Sequence, residues 1–144
     1  MPLKTENFRS LIPHRGAMSL LGEVVQFDAE QIICRAASHR DPANPLREGG
    51  VLPAICGIEY AAQAMAVHGA LREQGGPRPG MLAAVRDVAL RVERLDDIPG
   101  DLTLTARRLI ADARHMLYEF SVRAGEIELV RGRATVVLGA QPIE

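Results

Sequence analysis

The chain is short of aromatic residues and has no tryptophan: phenylalanine and tyrosine together make up 3% of its 144 residues. Proteins that bind single-stranded nucleic acid stack the bases on aromatic side chains, and those that bind duplexes need an excess of positive charge. This chain has a formal net charge of -1 at pH 7 and a single lysine, Lys4. We therefore expect no nucleic acid among its partners.

Cysteines and long uninterrupted apolar runs are also scarce. The two cysteines, Cys34 and Cys56, lie in apolar sequence without the spacing of metal ligands. The N-terminal sequence MPLKTENFRS does not resemble a signal peptide, and no segment offers the roughly 20 mostly apolar residues of a membrane span. We expect a cytoplasmic protein without a membrane span, a metal or a cofactor.

One stretch, Val51 to Leu71, is apolar or small at nearly every position and yet contains a carboxylate, Glu59. A surface helix has an apolar stripe of about 100° and a charged opposite face, and this stretch has no charged face. Pro53 suits the first position of a helix, and the run from Gly75 to Pro77 would end it. We predict a helix over roughly residues 53 to 73, enclosed by other elements almost all round, with Glu59 buried.

The start of this helix has no capping side chain. Residues 49 to 52 contain no Ser, Thr, Asp or Asn, so the amides from Ala54 to Gly57 have no side-chain acceptor in the local sequence. Either water or an electronegative ligand atom can occupy such a helix N-terminus. Gly57 would allow a ligand to approach closely.

The remaining sequence alternates apolar and polar residues as β-strands do. Two runs before the helix predict a hairpin, and the loop that follows is rich in Pro, Gly, Asn and Asp. Four runs after the helix predict a four-stranded antiparallel meander. The predicted strands cover residues 19 to 27, 31 to 38, 81 to 92, 101 to 110, 116 to 124 and 127 to 138. The expected fold is α+β, a single domain over residues 1 to 144 with a curved antiparallel sheet wrapped around one long buried helix.

This order of elements resembles the hotdog fold, and the helix resembles one hotdog family. The segment from Pro53 to Ala64, PAICGIEYAAQA, is similar to the active-site helix of bacterial 3-hydroxyacyl-(acyl carrier protein) dehydratases. In that family a Pro opens the helix, and a Glu and a Gln lie four residues apart. Residues 12 to 15, IPHR, resemble the opening of the family. The motif Pro-Ala-x-x-Gly-Ile-Glu-Tyr most resembles the motif found in dehydratase-like proteins of aryl-polyene and related polyketide-type lipid pathways.

The resemblance implies the removal of water from a 3-hydroxyacyl thioester borne by acyl carrier protein or coenzyme A. It implies that Glu59 acts as acid or base, and that Gln63, on the same helix face, orients it. The substrate would contact Gln63 and the first helical turn at Ala54, Cys56 and Gly57, where backbone donors can stabilise a developing enolate oxygen.

One position departs from the family pattern. Family members carry a catalytic His in a Gly-His-Phe-Pro segment fourteen residues before the Glu, where this chain has Pro45. His39 and Asn44 remain as candidates for the second catalytic position, although an Asn cannot act as a general base at neutral pH. We expect structural or solvent-exposed roles for the other histidines: His14, His68 and His115.

In related proteins two chains join edge to edge with the active sites at the interface, which implies a homodimer or a higher homo-oligomer. The missing His leaves a second arrangement open, a non-catalytic acyl-binding subunit in a heterodimer with an active hotdog homologue. A thioesterase on the same fold, with the helix Glu activating water, is a further alternative. Acyl carrier protein is acidic, and its pantetheine arm carries a phosphate. A site that binds it would need arginines at the entrance of the substrate tunnel. The candidates are Arg15, Arg47, Arg78 and Arg91.

Overall fold

The computed structural model describes residues 3–4, 19–72 and 80–139. These ranges contain seven strands and one α-helix: β1 (Leu3–Lys4), β2 (Glu23–Phe27), β3 (Gln31–Ala36), α1 (Gly57–Arg72), β4 (Gly80–Leu90), β5 (Leu102–Ala111), β6 (His115–Ala124) and β7 (Ile127–Leu138). Two 3-10 turns, Ser38–Arg40 and Ala54–Cys56, precede α1. The hairpin predicted before the helix is present as β2 and β3, although its first strand begins at Glu23 and not at residue 19.

All seven strands form one antiparallel sheet in the order β1-β2-β3-β5-β6-β7-β4. Strands β5, β6 and β7 form the predicted meander. The prediction of a fourth strand in that meander is wrong, because β4 pairs with β7 at the far edge of the sheet. The two neighbours of β5 are β3 and β6, which leaves no place for β4 beside it.

The helix α1 packs across one face of this sheet, mainly over β3, β5 and β6. Its buried side joins the inward-facing side chains of β5 and β6 in one hydrophobic core. The central residues of that core are each at most 2% exposed: Tyr60, Ala61, Ala64, Val67, Leu102, Leu104, Ala106, Tyr118, Phe120 and Val122. The apolar composition of the helix is therefore explained by burial on this side.

The helix was predicted to be enclosed almost all round, and one side of it is left exposed in the single chain. Ile55 is 49% exposed, and Glu59 and Ala66 are also exposed. These positions are four and seven residues apart, so they lie along one side of the helix. We call Ile55, Glu59 and Ala66 the uncovered stripe.

No described strand pairs with the outer edge of β4. Met81 is 70% exposed and Leu90 is 46% exposed. The pairing of β4 with β7 shifts register twice, between Leu82 and Ala84 and between Arg86 and Ala89.

Within the described ranges, no helix has both the length and the apolar character needed to cross a membrane.

Candidate active site at the start of the helix

The segment after β4 fixes the approach to α1. Leu52 N–H donates to Asp96 Oδ1 at 2.8 Å, and Leu95 N–H donates to the Leu52 carbonyl at 2.8 Å. The Arg94 guanidinium pairs with Asp96, and this contact, with the Leu52 N–H, holds the pKa of the Asp96 carboxyl far below its usual range. Asp96 is therefore ionised at neutral pH and holds the start of the helix in place. No local pattern marks Asp96 for this role, because Leu52 is 44 residues away in the sequence.

No side chain caps the amides from Ala54 to Gly57, as expected, but backbone carbonyls accept from most of them. Ala54 N–H donates to the Glu93 carbonyl at 3.0 Å, and Cys56 N–H donates to a carbonyl within the 3-10 turn at 3.0 Å. Gly57 N–H also bonds within that turn. A 3-10 turn satisfies amides that lack a side-chain cap. In this group only Ile55 N–H has no acceptor among the described residues.

Gly57 packs closely against the sheet. A Cβ atom at this position would lie 3.1 Å from Val130 Cγ2 and 3.4 Å from Val122 Cγ2. The helix therefore approaches β6 and β7 closely at its first residue. A glycine at this position therefore favours close packing, and its expected contact with a ligand stays a prediction.

Glu59 lies in the first turn of α1, on the uncovered stripe. The expectation that this carboxylate is buried is wrong for the single chain, since Glu59 is exposed. No ion pair or hydrogen bond joins its side chain to any residue in the described ranges. Its neighbours along the stripe, Ile55 and Ala66, are apolar.

Cys56 is half-buried beside Glu59. Burial, and then the negative charges of Glu59 and Glu48, raise the pKa of the Cys56 thiol. A thiol with a raised pKa stays protonated at neutral pH and is a poor nucleophile. Cys56 can therefore contribute a small apolar surface to the site.

Gln63 does not hold the Glu59 carboxylate. Its side chain is fully buried, and its Oε1 accepts a hydrogen bond from Leu20 N–H at 2.9 Å. This bond joins the helix to the segment before β2. In this structure Gln63 therefore contributes to the fold, and the orienting role expected for it has no supporting contact.

Asn44 is 6% exposed, and both of its polar atoms have partners within the chain. Its Nδ2 donates to the Ser38 carbonyl at 2.9 Å and to Tyr60 Oη at 3.0 Å, while its Oδ1 accepts from Leu46 N–H at 2.9 Å. Ser38 Oγ lies 2.7 Å from Tyr60 Oη. Asn44 and Ser38 thereby fasten the loop before the helix to Tyr60, the residue next to Glu59. Sequence reasoning did not identify Ser38 and Tyr60 as parts of this network.

His39 is fully buried and is bound to the segment before β5. Its Nε2 donates to the Ile98 carbonyl at 3.1 Å, and its Nδ1 has no partner among the residues described. Burial is the main cause that lowers the pKa of His39, so the ring is neutral at neutral pH. These contacts do not bring His39 to Glu59.

The other described histidines also have partners away from Glu59. His68 is fully buried, with its Nδ1 2.7 Å from Tyr118 Oη and its Nε2 2.8 Å from the Asp28 carbonyl. His115 Nδ1 lies 3.4 Å from Oδ1 of Asp112, which is in the turn between β5 and β6. His14 lies outside the described residues.

Two of the four arginines proposed for a tunnel entrance are described. Arg47 donates to the carbonyls of Gly50 and His39, each at 3.1 Å, and so braces the loop before the helix. Arg91 pairs with Glu128 at 3.1 Å on the other side of the sheet. Arg15 and Arg78 lie outside the described residues.

An antiparallel sheet with one long helix packed across its face defines a hotdog-fold protein. Within this class, a model of the ApeP-like family, described as ApeP dehydratase, matches residues 6–143. The chain belongs to the ApeP-like dehydratase family. The resemblance to hotdog dehydratases expected from the helix is thus confirmed.

Solved structures confirm the fold. The dehydratase heterocomplex ApeI:P from Xenorhabdus doucetiae is 24% identical, with a TM-score of 0.81 over 91% of this chain and 90% of that chain. The thioesterase HI1161 from Haemophilus influenzae is 18% identical, with a TM-score of 0.67 over 95% and 91% of the two chains. AziG from S. sahachiroi is 16% identical, with a TM-score of 0.61 over 91% and 99%. No curated protein matches the chain.

Proposed function

We propose that this protein is a subunit of a dehydratase that acts on 3-hydroxyacyl thioesters, with Glu59 as a catalytic acid or base. The observation that carries this proposal is the position of Glu59. It is exposed at the start of α1, on a stripe that is otherwise apolar, and no described residue pairs with it. Membership of the ApeP-like dehydratase family supports dehydration as the reaction in which this carboxyl group takes part.

We propose further that a second, different hotdog subunit completes the site. The described histidines are bonded elsewhere, and Asn44 uses both of its polar atoms within the chain. A second copy of this chain would bring the same described groups. The free edge of β4 and the uncovered stripe together offer a surface on which another sheet and helix can pack. The solved relative from Xenorhabdus doucetiae is itself a dehydratase heterocomplex, which supports this arrangement.

In the proposed reaction, a base removes the proton α to the thioester carbonyl, and the bond from C3 to the hydroxyl oxygen breaks. The hydroxyl leaves as water after it accepts a proton, and a double bond forms between C2 and C3. The Glu59 carboxyl group donates that proton, while a base on the partner subunit accepts the α proton. Ile55 N–H can donate to the developing enolate oxygen, and one such donor contributes roughly 3 to 4 kcal/mol.

A second candidate function is favoured by the same histidine contacts. If the base and the acid both lie on the partner, this chain binds the acyl group and has no catalytic residue of its own. The two candidates differ in one respect: only the first requires the Glu59 carboxyl group. The thioester carrier, acyl carrier protein or coenzyme A, is the same in both.

The test is a mass-spectrometric assay with a 3-hydroxyacyl carrier-protein substrate. The full chain is assayed alone and as a purified complex with a catalytic hotdog subunit, each as wild type and as Glu59→Gln. We expect the complex to remove one water from the substrate and the Glu59→Gln complex to leave the substrate unchanged. Glu126→Gln, at an exposed glutamate in the turn between β6 and β7, is the matched control.

Three other results would reject or change the proposal. Full activity of the Glu59→Gln complex would assign catalysis to the partner and leave this chain as a binding subunit. Full activity of the isolated chain would remove the need for a different subunit. Release of free acid and free thiol would identify a thioesterase.

A further inference from the structure

Three arginines converge on one carboxylate on the side of the sheet opposite to α1. Arg91 Nε and Arg131 Nε lie 3.1 Å and 3.7 Å from Glu128 Oε2, and Arg123 Nη1 lies 4.0 Å from Glu128 Oε1. Arg123 Nη2 also donates to the Glu126 carbonyl at 2.8 Å, which fixes its direction. One carboxylate neutralises one guanidinium. Two positive charges of this cluster therefore have no counter-charge among the described residues.

The strand register extends this cluster into a wider charged surface. Arg107 of β5 lies opposite Glu119 of β6, Glu119 lies opposite Arg133 of β7, and Arg133 lies opposite Arg86 of β4. All four are exposed, and Arg131 is two residues from Arg133 on the same side of β7. We call this surface the arginine face: Arg86, Arg91, Arg107, Arg123, Arg131 and Arg133, with Glu119 and Glu128 between them.

The arginine face is more positive than the rest of the chain. Its six arginines and two glutamates give an excess of four positive charges, whereas the whole chain has a formal net charge of -1. Like charges placed this close together repel one another, and an anionic partner relieves that repulsion. The same repulsion disfavours the pairing of this face with its counterpart on a second copy of the chain.

The layout of the charges selects among anionic partners. Neighbouring strands are about 4.8 Å apart and alternate residues about 7 Å apart, so the arginines spread over a surface much wider than one phosphate or carboxylate group. The two glutamates interrupt the positive charge, which disfavours the continuous phosphates of a nucleic acid. None of the residues that define the face is aromatic, so bases have no side chain on which to stack. Separate carboxylates on a protein surface fit this pattern, and each can take a two-pronged contact from an arginine.

We propose that the arginine face docks an acidic protein, whose carboxylates pair with the guanidinium groups around Glu128. The proposal uses no residue of the candidate active site, so it stands or falls independently of the proposed function. Arg91 and Arg131 have side chains that are 55% and 58% exposed, whereas Glu128 is 24% exposed. The positive groups of the cluster are therefore the more accessible ones.

The experiment measures binding of the full chain to a short poly-L-glutamate peptide at low and at physiological salt. We expect Arg131→Glu to weaken binding about five-fold, since it reverses one contact charge. Glu128→Gln should tighten binding about two-fold, because it removes the negative charge at the centre of the cluster. A purely structural role for Glu128 would not produce this gain. Arg114→Glu, in the exposed turn between β5 and β6, reverses a charge elsewhere and should change binding by less than either.

Folding is checked by circular dichroism, and Arg131→Gln replaces Arg131→Glu if the latter does not fold. Equal affinities of wild type, Arg131→Glu and Glu128→Gln for the peptide would overturn the proposal. Tighter binding of single-stranded DNA, or of vesicles containing phosphatidylserine, with the same dependence on Arg131 would also overturn it, in favour of phosphate groups.

Discussion

Two polar residues four positions apart on α1 have opposite surroundings. Gln63 is fully buried, and its side-chain oxygen accepts a hydrogen bond from Leu20 N–H. Glu59 is exposed, and no described residue pairs with its carboxylate. A buried polar group needs a partner for stability, and Gln63 has one. The contrast indicates that Gln63 is needed by the fold, whereas Glu59 is available for chemistry.

The same distinction applies to the loop before the helix. Asn44 and His39 are polar residues near the start of α1, and both were candidates for catalysis. Each is buried and bound to another part of the chain: Asn44 to Ser38 and Tyr60, and His39 to Ile98. Asn44 and His39 are therefore needed by the fold, as Gln63 is, and differ in this from the exposed Glu59.

The sharpest test of this contrast is Glu59→Gln. We expect the dehydration rate of the complex to fall about 100-fold or more, because a neutral amide cannot transfer the proton. The free energy of unfolding should change by less than about 0.5 kcal/mol, since the side chain is exposed and no described residue pairs with it. Product formation and urea unfolding measure the two quantities. A large loss of stability would show that Glu59 has a structural role.

The converse change is Gln63→Leu. It removes the acceptor for Leu20 N–H and leaves a buried donor without a partner, which costs roughly 1 to 3 kcal/mol of unfolding free energy. Urea unfolding measures this loss. Glu59→Leu is the matched control on the same helix and should be far less destabilising. Equal stability of the two variants would remove the distinction between the two positions.

A smaller effect is expected from Tyr60→Phe. Ser38 and Asn44 each lose a hydrogen bond to the phenolic oxygen, and the unfolding free energy should fall by about 1 kcal/mol. Amide hydrogen exchange should increase in the loop, at residues 38 to 48. Tyr118→Phe, which removes the hydroxyl beside His68, is the control that should leave this loop unchanged. Unaltered exchange in Tyr60→Phe would show that other contacts hold the loop.

The smallest effect concerns pH. Burial lowers the pKa of His39 in the folded chain below 6.5, so the unfolded chain binds a proton first on acidification. The contribution of neutral His39 to stability is therefore present above about pH 6.5 and is lost as the pH falls. In His39→Gln the side-chain amide can still donate to the Ile98 carbonyl, but it does not titrate. Urea midpoints at about pH 7.5 and 5.5 should differ less in this variant than in wild type. Equal differences would show that His39 does not contribute to the pH dependence.

The sequence allowed the helix, the β5 to β7 meander and the hotdog fold to be predicted, because each depends on local periodicity or on the wording around Glu59. The position of β4 was not predictable from alternation, which determines the face that a residue takes but not the neighbour that a strand chooses. The exposure of Glu59 was missed for a related reason. Small apolar residues such as Ala66 can line the side of the helix that packs on its own sheet, and they can equally line a side that is left uncovered. The sequence does not distinguish the two sides.

The roles of Asn44 and His39 needed the structure because their residue types fit a site and a buried network equally well. Only contacts show whether a polar side chain is satisfied by the chain itself. The link between Asp96 and Leu52 is of the same kind, since the two residues are 44 positions apart and neither belongs to a motif.

The irregular course of β4 affects which other chains can join this sheet. An exposed edge strand is a template for unwanted pairing, and long regular edges favour aggregation. The two register shifts of β4 divide its edge into short regular pieces, and near the second shift Asp87 has a φ of 56°, outside the extended range. An incoming strand can match only one piece in regular register, and a slip of one residue would present the wrong side chains. Solubility of the unpaired chain and discrimination between incoming strands therefore depend on the same irregularities.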